Sequence, residues 1–383
     1  SSISLAFTLS ELSTNFDFSD ITTTGGSIGN FAGSGSNYSA TFTPSSDGLT
    51  LVEVSAGKFT DSTGNSNSAA SPFSWTYDST SPTISISSAD VTSGSTTNDS
   101  SISLAFTLSE LSTNFDFSDI TTTGGSIGNF AGSGSNYSAT FTPSSDGLTL
   151  VEVSAGKFTD STGNSNSAAS PFSWTYDSTS PTISISSADV TSGSTTNNNS
   201  ITLDFSISES IDEFLVSDIS VTGGTLSSFS NSGLISSAIF TPSSDGLCTI
   251  SIGSNSFYDD VGNGNSQSNE FVFTYDGTLP SMTIVSDDVS EGEFTNNSPL
   301  FLRFNFTEPV VDFDIGDFEI INGTISNLQG TQSTFSANFT PQSDGPCTIR
   351  IVAGKYSDNG GNLNSTISTL SFNYDITRAN DFN

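Results

Sequence analysis

Apolar and polar residues alternate with a period of two along several short segments of the chain. The segment "SISLAFTL" places Ile3, Leu5, Phe7 and Leu9 on one face and small or polar residues on the other. The segments "NYSATFTP" and "PFSWTYD" alternate in the same way, with their aromatic residues on one face. This period is typical of half-buried β-strands, and no helical period competes with it. The sequence therefore predicts an all-β protein.

The alternating segments belong to a repeat of 99 residues. Residues 1–98 reappear unchanged at 100–197, and two diverged copies follow at the same spacing. Repeats of this length are whole domains, because solenoid units run to roughly 20–50 residues. Several short strands per copy, separated by Gly, Pro and Asp-Gly turn signals, predict tandem immunoglobulin-like antiparallel β-sandwich domains. The predicted domains 1 to 4 span residues 1–79, 80–178, 179–277 and 278–383.

Domain 1 is predicted to lack its opening strand. In the second copy this strand reads "TISIS" at residues 83–87, just after the joint sequence "STSP". The C-terminal tail "RANDFN" has a different pattern and is not expected to supply it. Since the chain starts abruptly at Ser1, we interpret it as part of a longer secreted or surface protein.

Comparison of the copies predicts which face of one strand is buried. The segment "LTLVEV" starts at Leu49, and its counterparts read "LCTISI" and "PCTIRI". Those counterparts place their apolar residues at the positions of Thr50, Val52 and Val54. A slip by one residue would bury Glu53 instead. We therefore expect Glu53 to point outward.

The composition is strongly acidic: 40 Asp and Glu, 6 Lys and Arg and no His give a formal net charge of -34. Such a surface repels nucleic acid and anionic membranes, and no apolar run approaches a membrane-spanning length. The 31 Phe and 8 Tyr supply material for a core, which argues against disorder. We therefore expect no nucleic-acid partner and no membrane span, and a surface that attracts cations.

Catalysis is not expected. Without His there is no Ser-His or Cys-His nucleophile pair. A carboxylate pair of the glycosidase type is possible in principle, but every copy carries the same acids, whereas an active site normally occurs once. Cys248 and Cys347 occupy the same inward strand position in different domains. They are therefore predicted to be buried, unpaired and unreactive thiols.

The loop "DSTGNSN" at residues 61–67 carries Asp61, Asn65 and Asn67 around Gly64, and it recurs in each copy. Calcium is bound by six to eight oxygen ligands of this kind. Asp, Asn and Gly are equally common in plain polar turns, so the loop alone leaves both interpretations open. A second loop position carries an oxygen donor in every copy, namely Asn15, Asn114, Glu213 and Asp312.

Sandwich topology favours a cation site at the domain joints. The B–C and F–G loops share one end of an immunoglobulin-type domain, and the preceding linker enters at that end. An Asp of each linker should therefore meet two loop acids of the next domain, and three such carboxylates would repel without a cation. Asp61 has no upstream linker in this sequence, so its copy should be incomplete. The predicted calcium ligands are Asp78, Glu110, Asp160 and Asn164 at the first joint, Asp177, Glu209, Asp259 and Asn263 at the second, and Asp276, Glu308, Asp358 and Asn362 at the third.

Other acids are assigned structural roles. Asp47 and Gly48 are interpreted as turn residues. An acid after a strand-like segment is expected to face solvent in each copy, namely Asp20, Asp119, Asp218 and Asp317.

The chain resembles the bacterial Ig-like repeats of large surface adhesins. The resemblance lies in "AGKFTDSTGNSN", "FSWTYDSTSPTI", "FTLSE" and "FTPSSDG", in the same order in every copy with variations. It implies a tandem of β-sandwiches in an extracellular stalk, stiffened by calcium at the joints as in cadherins. The ligand roles it implies fall on Asp78, Glu110 and Asp160 and on the matching acids of later joints. The fourth copy departs at its exit, where "DITRAN" replaces "DSTSP", so the resemblance does not support a joint after Asp375.

Together these observations predict a non-enzymatic structural or adhesive stalk, extracellular or on a cell surface, with calcium ions as partners. Any cell-surface or glycan ligand would bind through regions outside this sequence. The alternative is a subunit of a pilus-like filament or viral appendage, in which copies of the chain complete one another by strand donation. A carbohydrate-binding module would need a platform of exposed aromatic residues. The strand pattern instead places most of the aromatic residues on the inward face, which disfavours this class.

Overall fold

The computed structural model describes residues 1–377, so the tail at 378–383 and the prediction made for it lie outside the described residues. The chain forms two compact units, Ser1–Ser178 and a second that starts at Thr179. Strands dominate both units, and the helical segments of the described residues are 3-10 turns of three residues each. The prediction of an all-β chain of tandem β-sandwiches is confirmed.

Domain 1 has two small sheets. Its strands are β1 (Ile3–Ser13), β2 (Thr22–Thr24), β3 (Gly26–Pro44), β4 (Gly48–Glu53) and β5 (Phe73–Tyr77). Strands β1 and β3 pair in one sheet, and the other has the order β2-β4-β5. A 3-10 helix, Phe18–Asp20, lies between β1 and β2.

Domain 2 has two strands more than domain 1. Its strands are β6 (Ile84–Ser88), β7 (Thr96–Thr97), β8 (Ile102–Ser112), β9 (Ile120–Thr123), β10 (Gly125–Pro143), β11 (Gly147–Val153) and β12 (Phe172–Tyr176), with a 3-10 helix at Phe117–Asp119. The sheets have the orders β10-β8-β6 and β7-β12-β11-β9. Strand β6 lies antiparallel to β8, and β7 lies parallel to β12. Within the described chain, domain 1 has no counterpart of β6 or β7.

Domain 3 repeats the plan of domain 2, with one long strand divided in two. Its strands are β13 (Ile183–Ser186), β14 (Thr195–Thr196), β15 (Ile201–Ile207), β16 (Ile219–Thr222), β17 (Gly224–Ser232), β18 (Ile235–Pro242), β19 (Gly246–Ile252) and β20 (Phe271–Tyr275), with a 3-10 helix at Val216–Asp218. The sheets have the orders β13-β15-β18-β17 and β14-β20-β19-β16.

Domain 4 has the same two sheets. Its strands are β21 (Met282–Ser286), β22 (Phe294–Thr295), β23 (Leu300–Val310), β24 (Phe318–Ile321), β25 (Gly323–Pro341), β26 (Gly345–Ile351) and β27 (Ser368–Tyr374), with a 3-10 helix at Ile315–Asp317. The sheets have the orders β21-β23-β25 and β22-β27-β26-β24.

The period-two pattern becomes the alternating burial of the strands. Along β8, Ile102, Leu104, Phe106 and Leu108 are at most 3% exposed, while the residues between them face solvent. Removing such side chains from water is the main favourable contribution to folding. The buried face predicted from "SISLAFTL" is confirmed in this copy.

The predicted register of "LTLVEV" is also confirmed. In the second copy Thr149 and Val151 are fully buried, whereas Glu152 is partly exposed. The hydroxyl of Thr149 donates a 2.8 Å hydrogen bond to the backbone oxygen of Trp174, which satisfies a polar group in the core. Cys248 and Cys347 occupy the same position in domains 3 and 4. Both are buried and unpaired, and burial raises the pKa of each thiol.

The prediction that Asp20, Asp119, Asp218 and Asp317 face solvent is wrong for Asp20 and Asp317, whereas Asp119 and Asp218 are half-buried. Asp20 and Asp317 are buried, and each carboxylate accepts a hydrogen bond from a backbone N–H three residues earlier in the chain. The donors are Asp17 N at 3.0 Å and Asp314 N at 2.8 Å. This reciprocal capping closes the first turn of a 3-10 helix. The sequence pattern predicts strands, and it does not show that the chain turns back on itself here.

Candidate functional site

The loop around Asp160 is a tight turn held by its own carboxylate. Asp160 accepts hydrogen bonds from the backbone N–H of Thr162 and of Asn164, both at 2.9 Å, and from the Asn164 side-chain amide at 2.9 Å. Gly163 has a φ of +95°, a conformation that side chains with a Cβ rarely adopt. The turn therefore holds a buried carboxylate in one orientation at the end of the domain.

Asn166, the last residue of the motif in this copy, holds the loop to its own domain. Its side-chain oxygen accepts hydrogen bonds from the backbone N–H of Lys157 at 2.7 Å and of Phe158 at 3.0 Å. Its amide nitrogen donates to the backbone oxygens of Ser154 and Ser167. Both the oxygen and the nitrogen of the Asn166 side chain are therefore hydrogen-bonded within domain 2.

Asn114 joins the two loops at this end of domain 2. Its side-chain oxygen accepts hydrogen bonds from Ser112 Oγ and from the backbone N–H of Thr159, both at 3.0 Å. In domain 4 the equivalent Asp312 accepts from the backbone N–H of Ser357 at 2.6 Å. In domains 2 and 4 the side-chain oxygen at this position therefore positions the acidic loop.

Three carboxylates converge at the first joint. One oxygen each of Asp78, Glu110 and Asp160 lies within 4.8 Å of the other two. Asp78 follows β5 of domain 1, Glu110 lies near the end of β8, and Asp160 lies in the loop after β11. The linker is held by Thr162 Oγ1, which donates to Asp78 Oδ2 at 3.2 Å, and by the Asn164 amide, which donates to the Asp78 backbone oxygen at 3.3 Å. The residues predicted for this joint are brought together.

The third joint has the same arrangement with closer contacts. One oxygen each of Asp276, Glu308 and Asp358 lies within 4.8 Å of the other two. The amide of Asn362 donates to the backbone oxygen of Asp276 at 2.8 Å. Asp358 is only 3% exposed. These residues, too, come from a linker and from the following domain, where Glu308 lies near the end of β23 and Asp358 in the loop after β26.

The first-joint carboxylates differ in their proton affinity. Burial, and then the negative charges of Asp78 and Asp160, raise the pKa of Glu110. Burial also acts to raise the pKa of Asp160, but hydrogen bonds from Asn164 and Thr162 outweigh it and lower the pKa to about 2. Asp160 therefore stays ionised near neutral pH, and Glu110 is the residue whose negative charge the joint disfavours.

At the third joint two of the three acids are disfavoured as anions. Burial, and then the charge of Asp358, raise the pKa of Asp276. Burial, and then the charges of Asp276 and Asp358, raise the pKa of Glu308. Glu308 Oε1 is also buried without a hydrogen-bond partner in the described chain. A buried oxygen of this kind is costly unless a proton or a cation meets it.

No basic side chain neutralises either group within residues 1–377. The salt bridges there are Arg303 to Asp287 and Arg350 to Glu319, both on exposed side chains. Neither contains a carboxylate of the two joints. The donor set at each joint consists of oxygens alone, which fits a hard cation.

Asn164 and Asn362 direct their amide nitrogens toward the neighbouring carboxylates and linker carbonyls. In this geometry they link the loop to the linker through hydrogen bonds. Their role as oxygen ligands therefore stays a prediction, and the three carboxylates are the atoms placed to hold an ion.

Asp47, which the sequence predicts to be a turn residue, also holds the linker. Its carboxylate accepts hydrogen bonds from Ser79 N at 2.8 Å and Ser79 Oγ at 2.7 Å, directly after Asp78. Its charge is a further cause of the raised pKa of Glu110. At the third joint Asp245 accepts from the backbone N–H of Gly277 at 2.7 Å. The sequence carries one signal for this role, because an Asp stands at the same distance before every linker.

The predicted second joint combines residues of both compact units. Asp177 belongs to the first unit, and Glu209, Asp259 and Asn263 belong to the second, so this site stays a prediction. Within the second unit Asp259 is buried, and it accepts hydrogen bonds from Val261 N at 3.0 Å and Asn263 N at 2.8 Å. The turn seen at Asp160 is therefore present here as well.

Domain 1 has the turn without the group of acids. Asp61 accepts hydrogen bonds from the backbone N–H of Thr63 and Asn65, both at 2.8 Å. The Asn65 side-chain amide also donates to Asp61, and this bond, followed by the backbone bonds, lowers the pKa of Asp61. Among the described residues Asp61 belongs to no cluster of three acids, whereas Asp160 and Asp358 do. The loop of domain 1 therefore matches the loop of domain 2 in sequence and in its turn, and differs from it in lacking the group of three acids.

In residues 1–377 no helix has the length and apolar character needed to cross a membrane.

Comparison with known proteins gives one family and several distant structures. The family model described as bacterial Ig-like domain matches residues 1–77, 78–176, 177–275 and 276–376. No curated protein matches the sequence.

Several solved structures are similar to this chain. Invasin, a bacterial integrin-binding protein, is 14% identical with a TM-score of 0.34, over 98% of this chain and 79% of its own. The adhesin InvE of Yersinia pseudotuberculosis is 11% identical with a TM-score of 0.22, over 52% and 60%. Domains 1–6 of the surface layer protein SbsC are 12% identical with a TM-score of 0.23, over 97% and 52%.

Proposed function

Because the chain belongs to the bacterial Ig-like domain family, with four copies between residues 1 and 376, we propose that it is a non-enzymatic structural or adhesive part of an extracellular surface protein, with calcium bound at its joints. The observation that carries the proposal is the convergence of Asp78, Glu110 and Asp160, and of Asp276, Glu308 and Asp358, within 4.8 Å. In each group the first acid comes from the linker and the other two come from the next domain.

Calcium is the cation that fits this donor set. The groups contain carboxylates and no histidine or thiolate, which disfavours zinc, copper and iron. Calcium accepts six to eight oxygens in flexible geometry, so water and backbone oxygens would complete the shell. Magnesium demands a nearly ideal octahedron and gives up its water reluctantly. Because the proposed site includes a linker residue, it favours calcium, which tolerates a less regular arrangement of ligands than magnesium does.

Calcium at a joint would act as a mechanical link. The ion would bind the linker acid together with a strand acid and a loop acid of the next domain, so its binding energy would favour the ordered joint over a loose one. Without it, the like charges of the three carboxylates oppose their approach. The stiffness of the joints would then follow the calcium concentration.

The non-enzymatic part of the proposal is supported by repetition. The same acids recur at the same positions in every copy, as a structural device does, whereas an active site normally occurs once in an enzyme. The chain also contains no histidine to act as a base near neutral pH.

The identical first and second copies allow a matched experiment. Glu110→Gln removes a carboxylate from the first joint, and Glu308→Gln removes one from the third. Glu11→Gln makes the same change in domain 1, where the same local sequence lies outside any group of three acids. Calcium stoichiometry is measured by equilibrium dialysis, and stability by calorimetry with calcium and with chelator.

We expect calcium to raise the melting temperature of the native chain. Glu110→Gln and Glu308→Gln should each lower the number of bound ions, and Glu11→Gln should leave it unchanged. Solution scattering should change when calcium is removed. An unchanged melting temperature and scattering profile would refute the calcium proposal, and so would an equal loss of bound ions in all three variants.

A further inference from the structure

The acidic loop of domain 4 contains an Asn-Gly pair, Asn359-Gly360, directly after Asp358. In such a pair the backbone nitrogen of the glycine can attack the side-chain carbonyl carbon of the asparagine and close a five-membered ring. Glycine favours this reaction, because it has no Cβ to hinder the approach and restrains the backbone least. The chain contains two further pairs of this kind, Asn263-Gly264 and Asn322-Gly323.

The fold holds the side chains of the other two asparagines. The Asn263 amide donates to Asp259 Oδ2 at 2.8 Å. The Asn322 amide donates to the backbone oxygen of Ser343 at 2.7 Å, and its oxygen accepts from Ser343 Oγ at 2.8 Å. A side chain fixed in this way cannot turn its carbonyl carbon toward the next backbone nitrogen without breaking these bonds. These two pairs should therefore react slowly in the folded chain.

Both reacting groups of the Asn359-Gly360 pair are free to move together. Asn359 is exposed, and within residues 1–377 no hydrogen bond holds its side chain. The backbone N–H of Gly360 has no acceptor in the same part of the chain. In the other copies this N–H donates to the loop aspartate at 2.8 to 3.0 Å, and the donors are Thr63, Thr162 and Val261. Domain 4 therefore combines a reactive pair with the loss of the bond that occupies its nucleophile elsewhere.

We propose that Asn359 is a self-modification site, at which the folded chain deamidates without an enzyme. The bond from Gly360 N to Asn359 Cγ forms while the bond from Cγ to the side-chain nitrogen breaks. The proton of the Gly360 N–H leaves with that nitrogen as ammonia. Water then opens the ring, giving aspartate when it cleaves the new bond and isoaspartate when it cleaves the original peptide bond. The reaction consumes water alone, and it does not depend on bound calcium.

The two products affect the acidic turn differently. Aspartate at position 359 would match Asp260 of domain 3, where the turn keeps its hydrogen bonds. Isoaspartate adds a methylene group to the main chain between Asp358 and Gly360, so the 2.9 Å bond from Asn362 N to Asp358 Oδ1 would no longer close the same turn. Gly360 also lies against the linker, since a Cβ there would be 3.0 Å from Asp276 Cβ. Isoaspartate should therefore release the loop from the linker at the third joint.

A tryptic digest separates the three Asn-Gly pairs, because the chain has only 6 Lys and Arg. The pairs fall in the peptides 158–303, 304–350 and 356–378. The native chain is incubated in calcium-free buffer at mildly alkaline pH, and the mass gain from amide to acid is followed in each peptide. We expect the gain in 356–378 to be several-fold faster than in the other two. In denaturant the three pairs should react at similar rates, because the fold no longer distinguishes them.

Two variants assign the reaction to this pair. Asn359→Ser introduces the residue that domains 1 and 2 carry here, and it should abolish the fast gain in 356–378. Gly360→Thr introduces the residue of domain 2 at the next position, and it should slow the gain several-fold. A native chain that gains mass equally in all three peptides, or none in 356–378, would overturn the proposal. A fast gain that persists in Asn359→Ser would overturn it as well.

The melting temperature tests the effect on the joint. After incubation, the native chain in calcium-free buffer should show one transition lowered by several degrees, in proportion to its isoaspartate content. That content is measured by enzymatic methylation of isoaspartyl groups. Asn359→Asp, which lacks the added methylene, should show a smaller change, and incubated Asn359→Ser should keep its transition. An unchanged melting profile in a chain rich in isoaspartate would refute the release of the loop.

Discussion

The side-chain amide of Asn362 donates a 2.8 Å hydrogen bond to the backbone oxygen of Asp276, and so connects the last acidic loop of domain 4 to the linker that precedes it. The same amide donates to Asp358 Oδ2 at 2.9 Å. In the first joint the equivalent bond from Asn164 to Asp78 is longer, at 3.3 Å. The two joints therefore share a design and differ in how closely the linker is held.

Replacing Asn362 with alanine should destabilise the third joint. The variant loses the bond to Asp276 and leaves the buried carboxylate of Asp358 with fewer donors, which costs about 1–3 kcal/mol. Calorimetry should show one transition lowered by several degrees. Asn65→Ala is the matched control, because the Asn65 amide holds Asp61 within an exposed loop. An equal loss of stability in both variants would contradict a role for Asn362 in the joint.

Gly360→Thr should weaken the third joint. A Cβ at Gly360 would lie 3.0 Å from Asp276 Cβ and 3.2 Å from Asp358 Oδ1, so the linker would have to move away. Domain 2 carries Thr162 at this position, and its linker is held less closely. We expect calcium affinity at the third joint to fall several-fold, as measured by calorimetric titration. Thr63→Gly in domain 1 serves as the control and should leave calcium binding unchanged. Unaltered affinity in Gly360→Thr would show that the approach of Asp276 does not govern binding.

Stability should depend on pH in opposite directions with and without calcium. The pKa values of Glu110, Glu308 and Asp276 are raised in the folded chain, so the folded state binds protons more tightly than the unfolded state. In calcium-free buffer the melting temperature should therefore rise as the pH falls from 7 toward about 5. Asp160 acts in the opposite direction: its lowered pKa of about 2 contributes stability above its ordinary value of 3.8, and this is lost as the pH falls toward 2.

Calcium should reverse the first of these trends, because protons compete with the ion for the same oxygens. The difference in melting temperature between calcium and calcium-free buffer should shrink as the pH falls from 7 toward 5. The double variant Glu110→Gln and Glu308→Gln serves as the control and should show a much weaker rise in calcium-free buffer. A rise of the native size in this variant would assign the pH dependence to other groups.

The two thiols should be unreactive in the native chain. Cys248 and Cys347 are fully buried, and burial raises the pKa of each, so the reactive thiolate is scarce and inaccessible. A colorimetric thiol reagent should detect no thiol under native conditions and two per chain in denaturant. Rapid reaction of either thiol in the native chain would contradict the packing of that strand. Fewer than two thiols in denaturant would reveal a disulfide between molecules or domains.

The buried faces of the strands could be predicted from the sequence because side-chain direction along a strand is a local property. A period of two identifies the face of Ile102, Leu104 and Phe106 without knowledge of any partner strand. The identical and diverged copies then identified the inward position of Thr149, which a single copy leaves open. The acids of the first and third joints could be predicted for a similar reason, because the repeat length and the sandwich topology together place loops and linkers at one end.

The roles of Asp20 and Asp47 could not be predicted in the same way. Both carboxylates accept hydrogen bonds from backbone N–H groups, of Asp17 and Ser79 respectively. Backbone donors are present at every residue except proline, so the regular spacing of an Asp shows that the residue recurs but not which donor its carboxylate meets. For the same reason the sequence did not show that Asn164 and Asn362 turn their nitrogens to the carboxylates.

By itself, the sequence determined the strand faces, the repeat and the acids that meet at the described joints, since each follows from local periodicity or regular spacing. Only the tertiary structure decided how exposed those residues are. Phe73 and Phe172 have the same neighbours in sequence, yet their exposed fractions are 54% and 7%. Burial depends on which segments pack across the face, and strands β6 and β7 come from a different part of the chain than the face they cover.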